Sequence, residues 1–586
     1  MAGCTDCAGC VYGRYPRIPS SKLFEAEIAI VGEAPGTMEV ARKVPFVGPS
    51  GQLLDKVVEA AGLPPRNEIF VTNALLCKPP SNKPQIRQAV ETCRARLFNE
   101  LRAVKPKLII ALGNIAMHSL TGDFKLKITA EQGRVLTSPL LPDAIIVPVL
   151  HPAAILRAPG DYKLFYSAMV YAGELARGEE PLDPGQTSWV VIETEEQLQQ
   201  FIEALTKHRE QIGVVACDIE TTGLDPRRNN VLVAGVAYAK NKVAVIPKHL
   251  LRRELFTVDG LLWAWHNGKF DTSFLRRMGL PAIAHHDTLL LSYCLNEHGG
   301  VHGLEQLSAR LLGAQPYKHI ANKHAGAKTK KGFAGLPKDV LYERVATDAD
   351  YTRQILQILL PRVEGNSQLQ KLYRGMLLPA SAFLRRVERN GIHIHRPLLE
   401  EFKKEYQQHL SEIQGSIIDM AMPFWSPEIY KRETGAKTAP EVFNPGSPKQ
   451  LAWLLFDRMG LKPAGRMKGR STDKEVLAKM QGMHPIIDEM LKFRSVSKEL
   501  STYIIGTEKH ITPDGRVHTT FKVHGTTTGR LSSSEPNVQN QPKRKPKIRN
   551  IFQAPPGRWL LEADYKGAEL RVLAEQSGDE FLMDCF

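Results

Sequence analysis

The 586 residues exceed what a single hydrophobic core organises, and at roughly 100 to 200 residues per domain they imply several folded units. Lysine and arginine number 77 against 62 acidic residues, a formal net charge of +15, which suits a polyanionic partner. No apolar run approaches the ~18 residues that span a bilayer, and residues 1–10 lack the apolar core of a signal peptide, so membrane and secreted classes are set aside. The expectation is a soluble protein of the cytoplasm, whose eight cysteines are reduced thiols or metal ligands and not disulfides.

At the start of the chain Cys4, Cys7 and Cys10 are each separated by two residues, and Cys77 and Cys93 follow. Four thiolates drawn from two distant segments suit zinc or an iron-sulfur cluster. Between them, Ile28 to Gly32 reads as a buried strand that runs into the turn Glu33-Ala34-Pro35-Gly36. Pro45-Phe46-Val47-Gly48, Thr72-Asn73-Ala74, Ile109-Ile110-Ala111-Leu112-Gly113 and His151-Pro152-Ala153 follow in that order. These motifs resemble the family 4 uracil-DNA glycosylases across nearly all of residues 1–178.

The resemblance implies an α/β/α domain with a 4Fe-4S cluster on Cys4, Cys7, Cys77 and Cys93, leaving Cys10 as an extra thiol. It places Glu33 and Glu39 beside the scissile bond and its water, and Phe46 on the flipped base. Asn73 would pair with the uracil edge and His151 would stabilise the departing anion. The sequence departs from the family pattern at Lys43-Val44-Pro45-Phe46 and at Ala153. A domain that binds uracil without excising it is the alternative.

Residues 179–188, rich in Pro, Gly and acid, read as a connector. Beyond it, Val214 to Thr221 is a strand pattern whose Asp218 and Glu220, two apart, project from one face. Two carboxylates side by side among apolar neighbours call for a divalent cation between them. Two further strands, Val231 to Tyr238 and Lys242 to Ile246, precede His266-Asn267-Gly268-Lys269-Phe270-Asp271, His286-Asp287 and Thr347-Asp348-Ala349-Asp350.

Residues 189–360 resemble the DEDD family of 3'-5' exonucleases, on an RNase H-like fold. The resemblance implies a two-magnesium site on Asp218, Glu220, Asp271 and Asp348, with Asp350 as the fallback fourth ligand, and it sets Asn267 and Phe270 near the 3' terminal nucleotide. The family's tyrosine four residues before the last aspartate is replaced by Arg344, with Tyr342 or Tyr351 as substitutes. The basic run Lys323 to Lys331 is a candidate contact for single-stranded DNA.

Residues 361–514 carry a helical pattern. Gly525-Thr526-Thr527-Thr528-Gly529-Arg530 and Asn537-Val538-Gln539-Asn540 lead to Leu560-Leu561-Glu562-Ala563-Asp564-Tyr565 and Glu569, where an apolar run is expected to be a strand ending in an acid. The basic cluster at residues 543–547 adds charge nearby. This order resembles the family A DNA polymerases of phage type, with a thumb over 361–514 and a partial palm over 515–586.

The resemblance implies that Arg530 grips a phosphate, that Gln539 and Asn540 face the minor groove, that Asp564 binds catalytic magnesium and that Glu569 meets the incoming nucleotide. Only 22 residues follow Asp564, so fingers and the remaining palm are expected from a second polypeptide. The expectation is thus a multidomain α/β protein of DNA replication with proofreading exonuclease and uracil-directed activity. The alternative is a non-catalytic uracil-binding and DNA-clamping subunit whose only activity is the exonuclease.

Overall fold

The computed structural model describes residues 18–79, 86–178, 182–297, 302–314, 332–462, 470–542 and 546–586. Cys4, Cys7, Cys10, the run Lys323 to Lys331 and residues 543–545 lie outside them. The chain divides into two compact units: one runs through Arg385 and includes Val523–Leu531, and the other comprises Arg386–Lys522 with Ser532–Phe586.

The first unit holds two sheets. In one, β1 (Ile28–Gly32), β2 (Phe70–Asn73), β3 (Leu108–Leu112), β4 (Leu136–Ser138) and β5 (Leu141–Val149) stand in the order β2-β1-β3-β5-β4. β1 pairs in parallel with β2 and β3, β3 pairs in parallel with β5, and β4 is antiparallel to β5. Every residue of β1 and β3 is buried, as unbroken Ile, Val, Leu and Ala runs require in a parallel sheet covered by helices. The helices Pro49–Ala60, Ile86–Val104, Asn114–Thr121 and Tyr162–Ala176 share its hydrophobic core.

In the other sheet, β6 (Ser188–Val191), β7 (Val214–Thr221), β8 (Val231–Ala239), β9 (Lys242–Pro247), β10 (Leu262–Trp265) and β11 (His286–Asp287) lie in the order β11-β10-β7-β8-β9-β6. The three successive strands expected from the sequence form the antiparallel centre β7-β8-β9. Alternation along β7 sends Val215, Cys217 and Ile219 into the core. Asp218 and Glu220 are thereby left on the opposite face.

The 27-residue helix Lys338–Glu364 packs closely against β8. Gly235 makes that approach feasible, because a Cβ there would lie 2.7 Å from the Val345 carbonyl oxygen.

Residues 182–188, the described part of the expected connector 179–188, are tied down along their length. Leu182 N–H donates to the Leu311 carbonyl, Gln354 Nε2 to the Pro184 carbonyl, and the Thr187 hydroxyl to Asp350 Oδ2 at 2.7 Å.

The second unit is mainly helical, with long helices at Arg396–Ala421 and Pro485–Lys498. Its core is built on Trp425, Tyr430 and Trp453, whose ring centroids lie 5.2 to 5.6 Å apart. Two short antiparallel pairs accompany it, β12 (Ile392–His393) with β13 (Arg516–Val517) and β14 (Thr520–Lys522) with β15 (Ser532–Ser534).

The strand expected at Leu560 to Asp564 is absent: the segment is irregular, and Trp559, Leu561 and Tyr565 are exposed. A strand needs a neighbour to take its N–H and C=O groups, and among the described residues no strand pairs with this one. An apolar sequence alone does not supply that partner.

Candidate functional site

Two sites emerge in the first unit. One is acidic. Asp218 and Glu220 on β7 and Asp348 on the helix Lys338–Glu364 bring one carboxylate oxygen each to within 4.8 Å of one another. Glu220 and Asp348 are buried, and three converging carboxylates at this spacing form a donor set that fits a hard divalent cation.

The fourth expected ligand, Asp271, stands outside this group of three. Its Oδ1 accepts the Ile219 N–H at 3.3 Å, which holds it beside β7. Burial pushes its carboxyl well above the usual range, and the charges of Asp287 and Glu220 act in the same direction.

The fallback, Asp350, is engaged elsewhere. It is fully buried and accepts from the Thr187 hydroxyl, the Asn241 N–H at 2.9 Å and Gln354 Nε2 at 3.0 Å. It therefore belongs to a structural network that ties the incoming chain to the sheet.

Asn267 caps the helix Gly268–Arg277 from a left-handed conformation with φ +61°. Asp287 fixes it there by accepting the Asn267 and Gly268 N–H groups, and the same carboxylate caps the next helix at Leu289 and Leu290. Phe270, one turn further along, packs on Phe274 at 5.0 Å.

At the position where a tyrosine was expected, Arg344 hydrogen-bonds Glu220 through Nε and lies over the Phe333 ring at 4.5 Å. Of the two substitute tyrosines, Tyr351 is buried, and burial followed by the charges of Asp350 and Asp348 raises its hydroxyl pKa. Tyr342 is half-buried.

The second site lies at the carboxyl ends of the parallel strands of the first sheet, where open α/β sheets bind ligands. Glu33 follows β1, Asn73 ends β2, Gly113 follows β3 and His151 comes two residues after β5. With Glu39 and Phe46 they line one cavity of about 570 Å³, so all five residues singled out by sequence meet there.

Close packing shapes this cavity. A side chain on Gly32 would meet Asn73 Oδ1 at 2.3 Å and Phe46 Cζ at 2.5 Å. Phe46, buried and in the left-handed region at φ +55°, is stacked on the His151 ring with centroids 6.1 Å apart. Glu39 accepts the N–H groups of both Gly36 and Phe46, and Arg66 donates to the Phe46 carbonyl at 2.9 Å. The Glu39 carboxylate is thus a brace for the loop that presents the aromatic ring.

His151 caps the helix Pro152–Arg157, its Nδ1 accepting the Ala153 N–H at 3.1 Å. A neutral ring so bonded carries its proton on Nε2. Asn73 is held from behind by Arg96, which donates to the carbonyls of Asn73 and Ala74 at 2.7 and 2.8 Å and pairs with Glu100.

In the second unit, Gln539 and Asn540 are adjacent and exposed, and their N–H groups converge on Asn537 Oδ1. Asp564 and Glu569 are exposed, with Glu569 in the first turn of the helix Ala568–Ser577. Lys547, from the basic cluster, pairs with Glu405 at 2.9 Å. In the first unit, exposed Arg530 closes a turn whose carbonyl accepts the Thr526 hydroxyl.

Sequence profiles of three families match the chain in the same order. Uracil DNA glycosylase superfamily matches residues 19–171, 3'-5' exonuclease matches 189–364, and DNA polymerase family A matches 425–586. The three matches do not overlap, and each covers less than a third of the chain.

A DNA polymerase of Escherichia phage T5 is 31% identical over 401 residues, covering 64% of this chain and 46% of that protein. A DNA polymerase of Bacillus phage SP01 is 24% identical over 646 residues, covering 96% and 69%. The POL domain of Pol1 from M. smegmatis, solved in complex with DNA primer-template and dNTP, aligns with TM-score 0.50 and 23% identity over 67% of this chain and 63% of its own. The chain spans less than half the length of the curated relatives it matches at 30% identity or more.

The segment matched by the exonuclease profile thus brings together three of the four acids expected there, and the segment matched by the glycosylase-superfamily profile gathers the five residues expected around the base. Sequence reasoning gave no role to Asp287, Gly235 or Arg96. Asp287 alone carried a signal, a side chain of N-cap type directly before a helical run.

Proposed function

We propose that the chain is part of a replicative DNA polymerase whose exonuclease domain removes nucleotides from single-stranded 3' ends. The observation that carries this reading is the convergence of Asp218, Glu220 and Asp348 within 4.8 Å. They would hold a divalent cation, which when bound lowers the pKa of water and offsets charge on the leaving oxygen. Asn267 and Phe270 would orient the terminal nucleotide. Hydrolysis adds water across the last phosphodiester: the water oxygen bonds to phosphorus, and the 3' oxygen leaves with a proton.

The test is degradation of an end-labelled single-stranded oligonucleotide with magnesium. The Asp218→Ala change should abolish it, and retained activity rejects the assignment.

The glycosylase-superfamily domain is read as acting on uracil in DNA. Phe46 would stack on the extruded base, Asn73 would pair with its edge and Nε2–H of His151 would donate to the oxygen that gains charge as the glycosidic bond breaks. Binding without excision is the second reading, and it is favoured by Glu39, whose carboxylate is occupied as a brace. Release of free uracil from a labelled oligonucleotide separates the two.

A 4Fe-4S cluster on Cys4, Cys7, Cys77 and Cys93 remains part of the proposal. Cys77 belongs to the core on which Cys93 packs. Visible absorbance with bound iron tests it, and a zinc-only metal content counts against it.

For polymerisation, Arg530, Gln539 and Asn540 would contact primer-template, and Asp564 and Glu569 would contribute to a magnesium site completed by further palm and fingers residues. Fluorescence anisotropy of a labelled primer-template with the unaltered chain and with Arg530→Ala tests the contact. The reading implies a cytoplasmic protein, in the bacterial host if the chain is phage-encoded.

A further inference from the structure

The acidic cluster carries a cation of its own. Arg344 stands one helical turn before Asp348, so the two project from the same side of the helix Lys338–Glu364. Its Nε is bonded to Glu220 Oε1, and its guanidinium lies 4.5 Å from the centroid of the Phe333 ring. Both members of the pair are largely withdrawn from water, with 13% and 7% of their side chains exposed. Asp348 and Asp218 act electrostatically on the same guanidinium.

A buried ion pair of this kind is strongly disfavoured from opening, because separation leaves an uncompensated charge. Glu220 is therefore already committed to a cation.

We propose that Arg344 is a resident cation of the cluster: its guanidinium takes the place of one divalent ion, so that the site binds a single divalent cation. The inference rests on the exonuclease reading. With the Glu220 carboxylate paired to the guanidinium, Asp218 and Asp348 are left as the two carboxylates of the cluster for one divalent cation.

The experiment is calorimetric titration of the full chain with Mn2+, counting only the ions lost in Asp218→Ala. One such ion is expected for the unaltered chain and for Arg344→Lys. Arg344→Tyr is expected to bind two, or to bind the first about tenfold more tightly, and to degrade single-stranded 3' ends faster at low metal concentration.

Two ions of similar affinity on the unaltered chain would overturn the proposal whatever the variants do. So would an Arg344→Tyr chain, folded by circular dichroism, with unchanged stoichiometry and affinity. Absence of any Asp218-dependent ion would instead overturn the exonuclease reading itself.

Discussion

Gly235 stands opposite Asp218 on the neighbouring strand, and the Val345 carbonyl fills the space a side chain would have taken. This contact sets how closely the helix bearing Asp348 approaches the strand bearing Asp218 and Glu220. The Gly235→Ala change should push that helix outward at a cost of about 1 to 3 kcal/mol. Exonuclease rate should fall by at least about tenfold, since an ångström of misplacement in a catalytic group costs up to ~100-fold. Unfolding and single-strand degradation, compared with Gly160→Ala as a glycine with open space and no left-handed backbone, check this.

The two glutamates of the uracil-directed cavity should separate in a way their equal sequence ranking hides. Glu33→Gln keeps the loop intact and should lower uracil release by about 100-fold or more if the carboxylate assists water. Glu39→Gln removes one of two acceptors for backbone N–H groups and should weaken binding of a uracil-containing strand. Single-turnover release and fluorescence anisotropy distinguish rate from affinity.

Burial pushes the Asp287 carboxyl up to about 6, even though four backbone N–H groups oppose the shift. Its ionised form is therefore less favourable in the folded chain than in the unfolded one. The stability it contributes is fully present below its ordinary value of 3.8 and is lost as pH rises to about 6. Asp287→Asn, which does not titrate, should gain on the unaltered chain by on the order of 3 kcal/mol between pH 3.5 and pH 7. Denaturant unfolding followed by the buried Trp263 and Trp265 measures it.

Asp350 and Asp348, two residues apart, should respond oppositely. Asp350→Ala leaves the Thr187 hydroxyl and the Asn241 N–H without their acceptor, at a cost of about 1 to 3 kcal/mol for each group that stays buried, with Asp218-dependent metal binding retained. Asp348→Ala should abolish metal binding at much smaller cost to folding. Thermal unfolding with and without Mn2+ resolves the pair.

Where chemistry and periodicity pointed the same way, the sequence was sufficient. Alternation on β7 announced two carboxylates on one face, and the motif order around Glu33, Phe46, Asn73 and His151 announced a cavity that the parallel strand ends then built. The family resemblance ranked Asp348 ahead of Asp350, but the reason took the structure, since helical spacing does not say which acid faces the sheet and which faces the incoming chain. Glu39 as a brace was likewise hidden, because its partners are backbone amides, which leave no trace in residue identity. The apolar run at Leu560 to Asp564 failed as a strand for a related reason: extended structure depends on a neighbour, which local pattern does not encode.

The hydrogen bonds along residues 182–188 bear on how this polypeptide is best divided for expression. A recombinant exonuclease fragment begun at Trp189 would discard Thr187 and the Pro184 carbonyl, exposing Asp350 and Gln354 to solvent at a freshly cut edge. One begun at Leu182 would keep the strap that closes that edge, and should be the more protease-resistant of the two.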